Sequence, residues 1–310
     1  MFVALASATT TARGVGCGTI VAMTDQQLNE RFGIDGRVAF EPGPGGLILA
    51  RLTAAGASAA VYLHGAHVAA YAPAGQRPVL FMSGCSRFAD GQPIRGGVPV
   101  CFPWFGKRAD DPDAPQHGLA RLRRWDVVAT RELDDGTVRI ELATQVDPFA
   151  VVHRVELGAA LTMSLIVRNA SAGEASYTAA LHSYFAVSDI RQVEVTGLEH
   201  AAYRQFGAEH RQGEAPIRFE GETDRLYTNT PATCVLHDAG WARRIVVSKE
   251  GSRSTVVWNP WVDKARALPD FGDDEWPRML CIETANIAEN AVTLGAGAEH
   301  TMAARVEVEQ

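Results

Sequence analysis

The chain has 310 residues, 46% of them hydrophobic, and a formal net charge of −7. Its acidity argues against a nucleic-acid partner, which needs a basic face to neutralise phosphates, and no run of ~18 apolar residues offers a membrane span. The five cysteines are scattered, odd in number and without a Cys-x-x-Cys pair, which points to reduced thiols in the cytoplasm rather than a disulfide framework or a zinc ribbon.

Residues 1–22 are rich in small residues and carry three consecutive threonines. A secretory signal needs a basic start and an unbroken apolar run; the first is missing and Arg13 interrupts the second. The expectation is a disordered extension at 1–22 and a single domain over 23–310. Thr24 or Asp25 caps a short helix over 24–32, in which Leu28 and Phe32 lie four apart. Strand signals then take over, at 47–52, 59–63, 79–82, 125–129, 138–142, 149–157, 160–167, 177–187, 193–196, 233–236, 244–248, 254–258, 279–283 and 305–308. Asp134-Asp135-Gly136 marks a hairpin turn. Many short strands separated by turns, with almost no helical periodicity, predict an all-β fold, a large antiparallel β-sandwich or barrel.

One stretch fits neither helix nor strand. From Ile94 to Trp125, glycines and prolines interrupt aromatic and aliphatic residues, and Arg95, Lys107, Arg108, His117, Arg121, Arg123 and Arg124 surround that apolar run. Apolar walls with a few polar groups are what a small-molecule pocket requires. Its acidic loop, from Asp110, lacks the regular oxygen spacing of a calcium site and reads as a solvated turn. His64 and His67 flank Gly-Ala without a partnered carboxylate, so a turn between strands is the better reading than a metal site.

Alternation over 177–187 puts His182 and Tyr184 on one face and Leu181, Ser183 and Phe185 on the other. By itself this stretch suits a structural histidine. Glu283 ends a strongly apolar strand. It is either a solvated strand end or a buried carboxyl whose raised pKa suits a base. Trp258-Asn259-Pro260-Trp261 is an aromatic pair on a turn, suited to stacking on sugar C–H faces or to packing a core corner, and Asp224 precedes Arg225-Leu226-Tyr227 in what may be called a plain loop end or a ligand position. No phosphate loop, dinucleotide fingerprint or Gly-x-Ser-x-Gly elbow is present.

Together these stretches resemble the hexose-6-phosphate mutarotases (glucose-6-phosphate 1-epimerases) of the aldose 1-epimerase superfamily. The resemblance rests on Ile-Arg-Gly-Gly-Val-Pro at 94–99, Phe-Pro-Trp-Phe-Gly at 102–106, Gln-His-Gly-Leu-Ala-Arg at 116–121, Leu-His-Ser-Tyr-Phe at 181–185, Thr-Asp-Arg-Leu-Tyr at 223–227, Val-Trp-Asn-Pro-Trp at 257–261 and Cys-Ile-Glu at 281–283. It implies a galactose mutarotase-like supersandwich, no metal or organic cofactor, and a monomer acting on a small hexose 6-phosphate. It implies catalytic roles for His182 and Glu283, and substrate contacts from Arg95, Gln116, His117, Arg121 and Asp224, with the arginines nearest the phosphate. Phe102, Trp104 and Trp258 are expected as aromatic walls. Trp104 departs from the family, in which many members carry a polar residue there.

Anomer exchange opens the hemiacetal, rotates about C1–C2 and closes on the other face. It needs one base at the C1 hydroxyl and one acid at the ring oxygen. The expectation is Glu283 as base and a protonated His182 as acid. The alternatives are an aldose 1-epimerase acting on free hexoses and a non-catalytic carbohydrate-binding protein.

Overall fold

The computed structural model describes residues 22–108 and 110–309. The expectation for 1–22 therefore lies, except for Ala22, outside the described residues. The helix forms at Asp25–Phe32, with Thr24 and Gln27 in a reciprocal capping box. Everything after it is organised by antiparallel sheets.

The longest layer is an eight-stranded sheet. Its first four strands in sequence order form a meander, Asp126–Glu132, Val138–Val146, Phe149–Leu157 and Leu161–Asn169, joined to Glu299–Glu309, Arg243–Glu250, Cys234–Asp238 and Val193–Thr196. Strict alternation of buried and exposed residues along these strands gives it one apolar face. Two layers cover that face. One is a four-stranded sheet in sequence order, Val38–Pro42, Ile48–Ala54, Ala57–Tyr62 and His67–Pro73. The other is a second eight-stranded sheet that runs from Ala208–Arg211 through Ala202–Gln205, Thr223–Tyr227, Ser254–Asn259 and Met279–Asn286 to Ala179–Leu181 and Val100–Cys101, with Tyr184–Ala186 also paired to Met279–Asn286. Residues of all three layers, among them Ile140, Leu52, Val257 and Ile282, share one contiguous apolar cluster. An isolated Val68–Val98 bridge joins the four-stranded sheet to the segment leading into Val100–Cys101.

In the second eight-stranded sheet, the central strands Ser254–Asn259 and Met279–Asn286 are buried on both faces. Leu280 and Ile282 point into the inter-sheet core, while Met279, Cys281, Glu283 and Ala285 point to the other side. That outer side is covered by loops and the short helix Trp261–Ala267, and it holds the pocket. The sequence signals missed two strands that matter to it, Val100–Cys101 and Thr223–Tyr227, and also the edge hairpin Ala202–Gln205/Ala208–Arg211. The expected strand at 79–82 makes only the isolated bridges Leu80–Phe185 and Met82–Gly96.

His64-Gly65-Ala66-His67 forms the expected turn, with Gly65 and Ala66 at positive φ. Beneath it His67 and His153 are fully enclosed, and burial pushes their pKa values down to about 3 and about 4. Each binds its proton less readily in the folded chain than in the unfolded one. Their stabilisation is complete above pH 6.5 and is lost as pH falls towards those values, at ~1.4 kcal/mol per pH unit for each group. The urea midpoint is expected to drop steeply between pH 6.5 and 5, and less steeply in His153→Gln. A midpoint that stays level over that range contradicts two neutral buried imidazoles.

Candidate active site

The expected long strand over 177–187 is interrupted. Ala179–Leu181 and Tyr184–Ala186 both pair with Met279–Asn286, at Leu181–Thr284 and Tyr184–Cys281. One register runs across the gap, so His182 stands opposite Glu283. The backbone turns there, with the Ser183 N–H donating to the Leu181 carbonyl, while the His182 N–H donates to the Pro99 carbonyl and so continues the register of the Val100–Cys101 pairing. Residues opposite each other on antiparallel strands project to the same face. The imidazole Nε2 consequently lies 3.3 Å from Glu283 Oε1, with both side chains buried. His182 Nδ1 and Glu283 Oε2 are enclosed without a hydrogen-bond partner.

The same ladder sets the rest of the floor. Asp224 pairs with Trp258, and Trp258 with Cys281, so a row of side chains runs across the sheet beside the His182–Glu283 pair. Tyr184 stacks on the His182 ring at 4.8 Å and 12°. Its hydroxyl accepts from Arg95 Nη1, while Arg95 Nη2 pairs with Asp270 at 3.1 Å.

The loops bring the cations. After Arg95 the chain needs Gly96 and Gly97: both have positive φ, and a Cβ would meet Phe81 O at 2.5 Å and Val68 O at 2.4 Å respectively. Gly118 (φ +78°) passes over the Phe102 carbonyl at a point where a Cβ would lie 2.1 Å from it. This close crossing folds Gln116 and His117 back onto Phe105 and Gly106. The Gly106 N–H donates to His117 Nδ1, so neutral His117 carries its proton on Nε2. Arg121 follows on a single 3-10 turn, and its Nη2 donates to the Gln116 carbonyl at 2.7 Å. Among the described residues no carboxylate lies within ion-pair distance of Arg121.

A cavity of about 230 Å³ results. It brings together Arg95, Gln116, His117, Arg121, His182, Asp224, Trp258 and Glu283. It does not include Phe102 or Trp104. Val100 and Cys101 pair with Leu181 and Ala180, and alternation sends Cys101 to the pocket side and Phe102 into the inter-sheet core, edge-on to Phe149 and near Tyr177. Trp104 turns away to a separate groove, with its Nε1–H on the Pro115 carbonyl and Arg108 over its ring. Phe105 is the aromatic residue of that motif at the pocket, held by its N–H on Thr178 Oγ1 and packed against the edge of His117. The Trp258–Trp261 pair also separates. Trp258 lines the cavity, whereas Trp261 packs on Trp276, and Asn259 is spent on the Trp276 and Met279 carbonyls. Tyr184, Lys264 and Asp270 were absent from the expected set. Alternation already placed Tyr184 beside His182; nothing near Lys264 or Asp270 in sequence signals a site.

Burial dominates the electrostatics. It pushes the Glu283 carboxyl well above its ordinary value, helped by the nearby Asp224. It drives His182 well below its own, with His117, Arg95 and Arg121 acting in the same direction. His117 is pushed down to about 3 by burial and then by Arg121 and Arg95. Burial also raises Asp224, against the pull of Lys264. Burial disfavours both charges, so the two shifts favour a neutral imidazole and a protonated carboxyl over the ion pair, whereas the sequence-based expectation is an ionised Glu283 beside a protonated His182. A pair that shares one proton across 3.3 Å is equipped to accept one proton and release another at neighbouring atoms of a bound molecule.

The sequence profile described as Aldose 1-epimerase matches residues 49–307. A Cenchrus ciliaris protein provisionally named glucose-6-phosphate 1-epimerase is 37% identical over 262 residues, covering 78% of each chain. A Salmonella typhimurium protein with the same provisional name is 34% identical over 233 residues, covering 72% of this chain and 77% of that one. A crystal structure from Salmonella typhimurium, provisionally described as a mutarotase, superposes with a TM-score of 0.81 at 29% identity over 90% of this chain and 96% of the other. Fold, cavity and sequence agree: the chain belongs to the aldose 1-epimerase family, whose members are isomerases built on the mutarotase β-sandwich.

Proposed function

We propose that the chain is a glucose-6-phosphate 1-epimerase that interconverts the α and β anomers of hexose 6-phosphates. The observation that carries this reading is Arg121, a largely enclosed guanidinium without a carboxylate partner, in the same cavity as the His182–Glu283 pair. A buried cation without a counter-ion is costly unless a ligand supplies one. A planar, permanently charged donor suits phosphate oxygens. Arg95 already has Asp270, so it assists as a hydrogen-bond donor more than as a free charge. The provisional names of the relatives point the same way.

In the reaction, Glu283 takes the C1 hydroxyl proton while His182 gives one to the ring oxygen. The C1–O5 bond breaks and the open aldehyde forms. Rotation about C1–C2 exposes the opposite face, and the two groups exchange roles as the ring closes. A phosphate dianion at Arg121 and Arg95 offsets two of the charges that disfavour the imidazolium, so substrate binding moves the shared proton from Glu283 to His182. His117 Nε2–H and Asp224 hold sugar hydroxyls, with Trp258 against the ring. All of these groups come from one chain, so a monomer suffices. The free thiols of Cys85, Cys101, Cys234 and Cys281 suit the cytoplasm. No described helix is long and apolar enough to cross a membrane.

The test follows anomer exchange by NMR line exchange for glucose 6-phosphate and for glucose at equal concentration. An advantage of tenfold or more in kcat/KM for the phosphorylated sugar is expected. Equal rates would leave a free-hexose epimerase as the reading.

A further inference from the structure

Beneath the His182–Glu283 pair lies a group that the epimerase reaction does not use. Cys281 stands two residues before Glu283 on the same face of its strand, opposite Tyr184. One ligand atom from each of His182, Cys281 and Glu283 lies within 4.8 Å of the others, and all three residues are buried. From the arrangement of these three donors we infer a binding site for a thiophilic divalent cation such as Zn²⁺, which acts as an inhibitor rather than as a cofactor.

Imidazole, thiolate and carboxylate form the mixed N, S, O set that zinc takes in preference to magnesium or calcium. Tetrahedral bonds to these atoms require ligand–ligand separations of roughly 3.3–3.7 Å. The His182–Glu283 contact of 3.3 Å already meets that value, and the sulfur needs an approach of about 1 Å or less to complete it. Glu283 Oε2 and His182 Nδ1 are enclosed without partners, so the carboxyl group has an unused acceptor for the ion. On binding, the Cys281 thiol and the Glu283 carboxyl give up their protons to solvent, and the two negative charges balance the cation. Burial and then the Glu283 charge push the Cys281 thiol well above its ordinary range, against the pull of Arg95, so the metal must displace a tightly held proton. His182 and Glu283 line the sugar cavity and Cys281 is buried beside them, so an ion on these donors occupies the two groups that the sugar must meet. Sugar and metal therefore exclude each other. This inhibition rests on the epimerase reading; metal binding by itself does not.

The test uses the full chain with Cys17→Ser and Cys85→Ser, which removes two thiols outside the cluster. Cobalt(II) is added as a spectroscopic probe, then displaced with zinc, in phosphate-free buffer. One bound cobalt with a thiolate charge-transfer band in the near ultraviolet is expected. Zinc should inhibit anomer exchange in competition with glucose 6-phosphate, reversibly on chelation, and magnesium should do neither. Cys281→Ser and Cys281→Ala, each added to that background, should keep metal-free exchange within about twofold, lose the band and need at least tenfold more zinc for inhibition. No band in the parent protein, or a band and zinc sensitivity unchanged in both Cys281 variants, would overturn the site. A cobalt band in a protein whose metal-free form exchanges no anomers would instead sink the epimerase reading and leave the site standing.

Discussion

Glu283→Gln is expected to lower catalysed anomer exchange of glucose 6-phosphate by about 10²- to 10⁴-fold, the range of a lost acid–base group, while the chain folds normally. Glutamine keeps the shape of the side chain and its place opposite His182 but cannot pass a proton. Because burial favours the neutral form of Glu283, the neutral amide is also a close electrostatic substitute, so stability should change little. His182→Asn should give a comparable loss, and the double variant little more than either single one, since the two residues act as a unit. The pH profile carries an independent check. With Glu283 raised and His182 lowered by burial, the pair keeps a single proton across the neutral range. A second proton enters only far below the ordinary imidazole value, so the acid limb of kcat/KM for free glucose, which carries no titrating phosphate, should fall well under pH 6.5. Wild-type rates in either variant, or an acid limb at about pH 6.5 with that sugar, would refute the pair as described.

Arg121→Met should separate recognition from stability. The guanidinium contributes a charged hydrogen bond of ~1.5–3 kcal/mol to the bound phosphate. Its loss should lower kcat/KM for glucose 6-phosphate by about 10- to 100-fold and leave the slow turnover of free glucose unchanged. Methionine retains an apolar stem of similar length. In the absence of ligand, removing an enclosed charge without a carboxylate partner should leave stability level or raise it. A chain that loses several kcal/mol of stability would mean that Arg121 is there to hold the Gln116 loop through its carbonyl contact. Unchanged discrimination between the two sugars would place the phosphate elsewhere.

The proposed catalytic pair was legible only as two candidates: a histidine and a glutamate each stood out in an apolar strand, and the resemblance to the mutarotases gave them a role. That they face each other was not visible. It depends on a register between strands about a hundred residues apart, and periodicity says nothing about pairing partners. Phe102 and Trp104 show a different limit. In Cys-Phe-Pro-Trp-Phe the side of each aromatic ring is set by the phase of the two-residue strand Val100–Cys101 and the turn after it. A shift of one residue exchanges core and pocket, and it is Phe105 that reaches the cavity. Asp270 and Lys264 were illegible for a third reason. They sit on a loop and a short helix with ordinary composition, and only the tertiary fold brings them to Arg95 and Asp224. The architecture was easier to read, because burial alternates along most strands whichever partners they take.

The continuous register across the interruption at His182 has a consequence for how the protein acquires activity. Neither half of the ladder from Leu181–Thr284 to Tyr184–Cys281 exists until the chain has closed a loop of about a hundred residues, a slow event compared with forming neighbouring hairpins. The meander from Asp126 to Asn169 pairs only adjacent strands and is free to form first. During refolding, far-ultraviolet circular dichroism should recover ahead of epimerase turnover. During synthesis, the chain stays inert towards sugar phosphates until the Met279–Asn286 strand has left the ribosome.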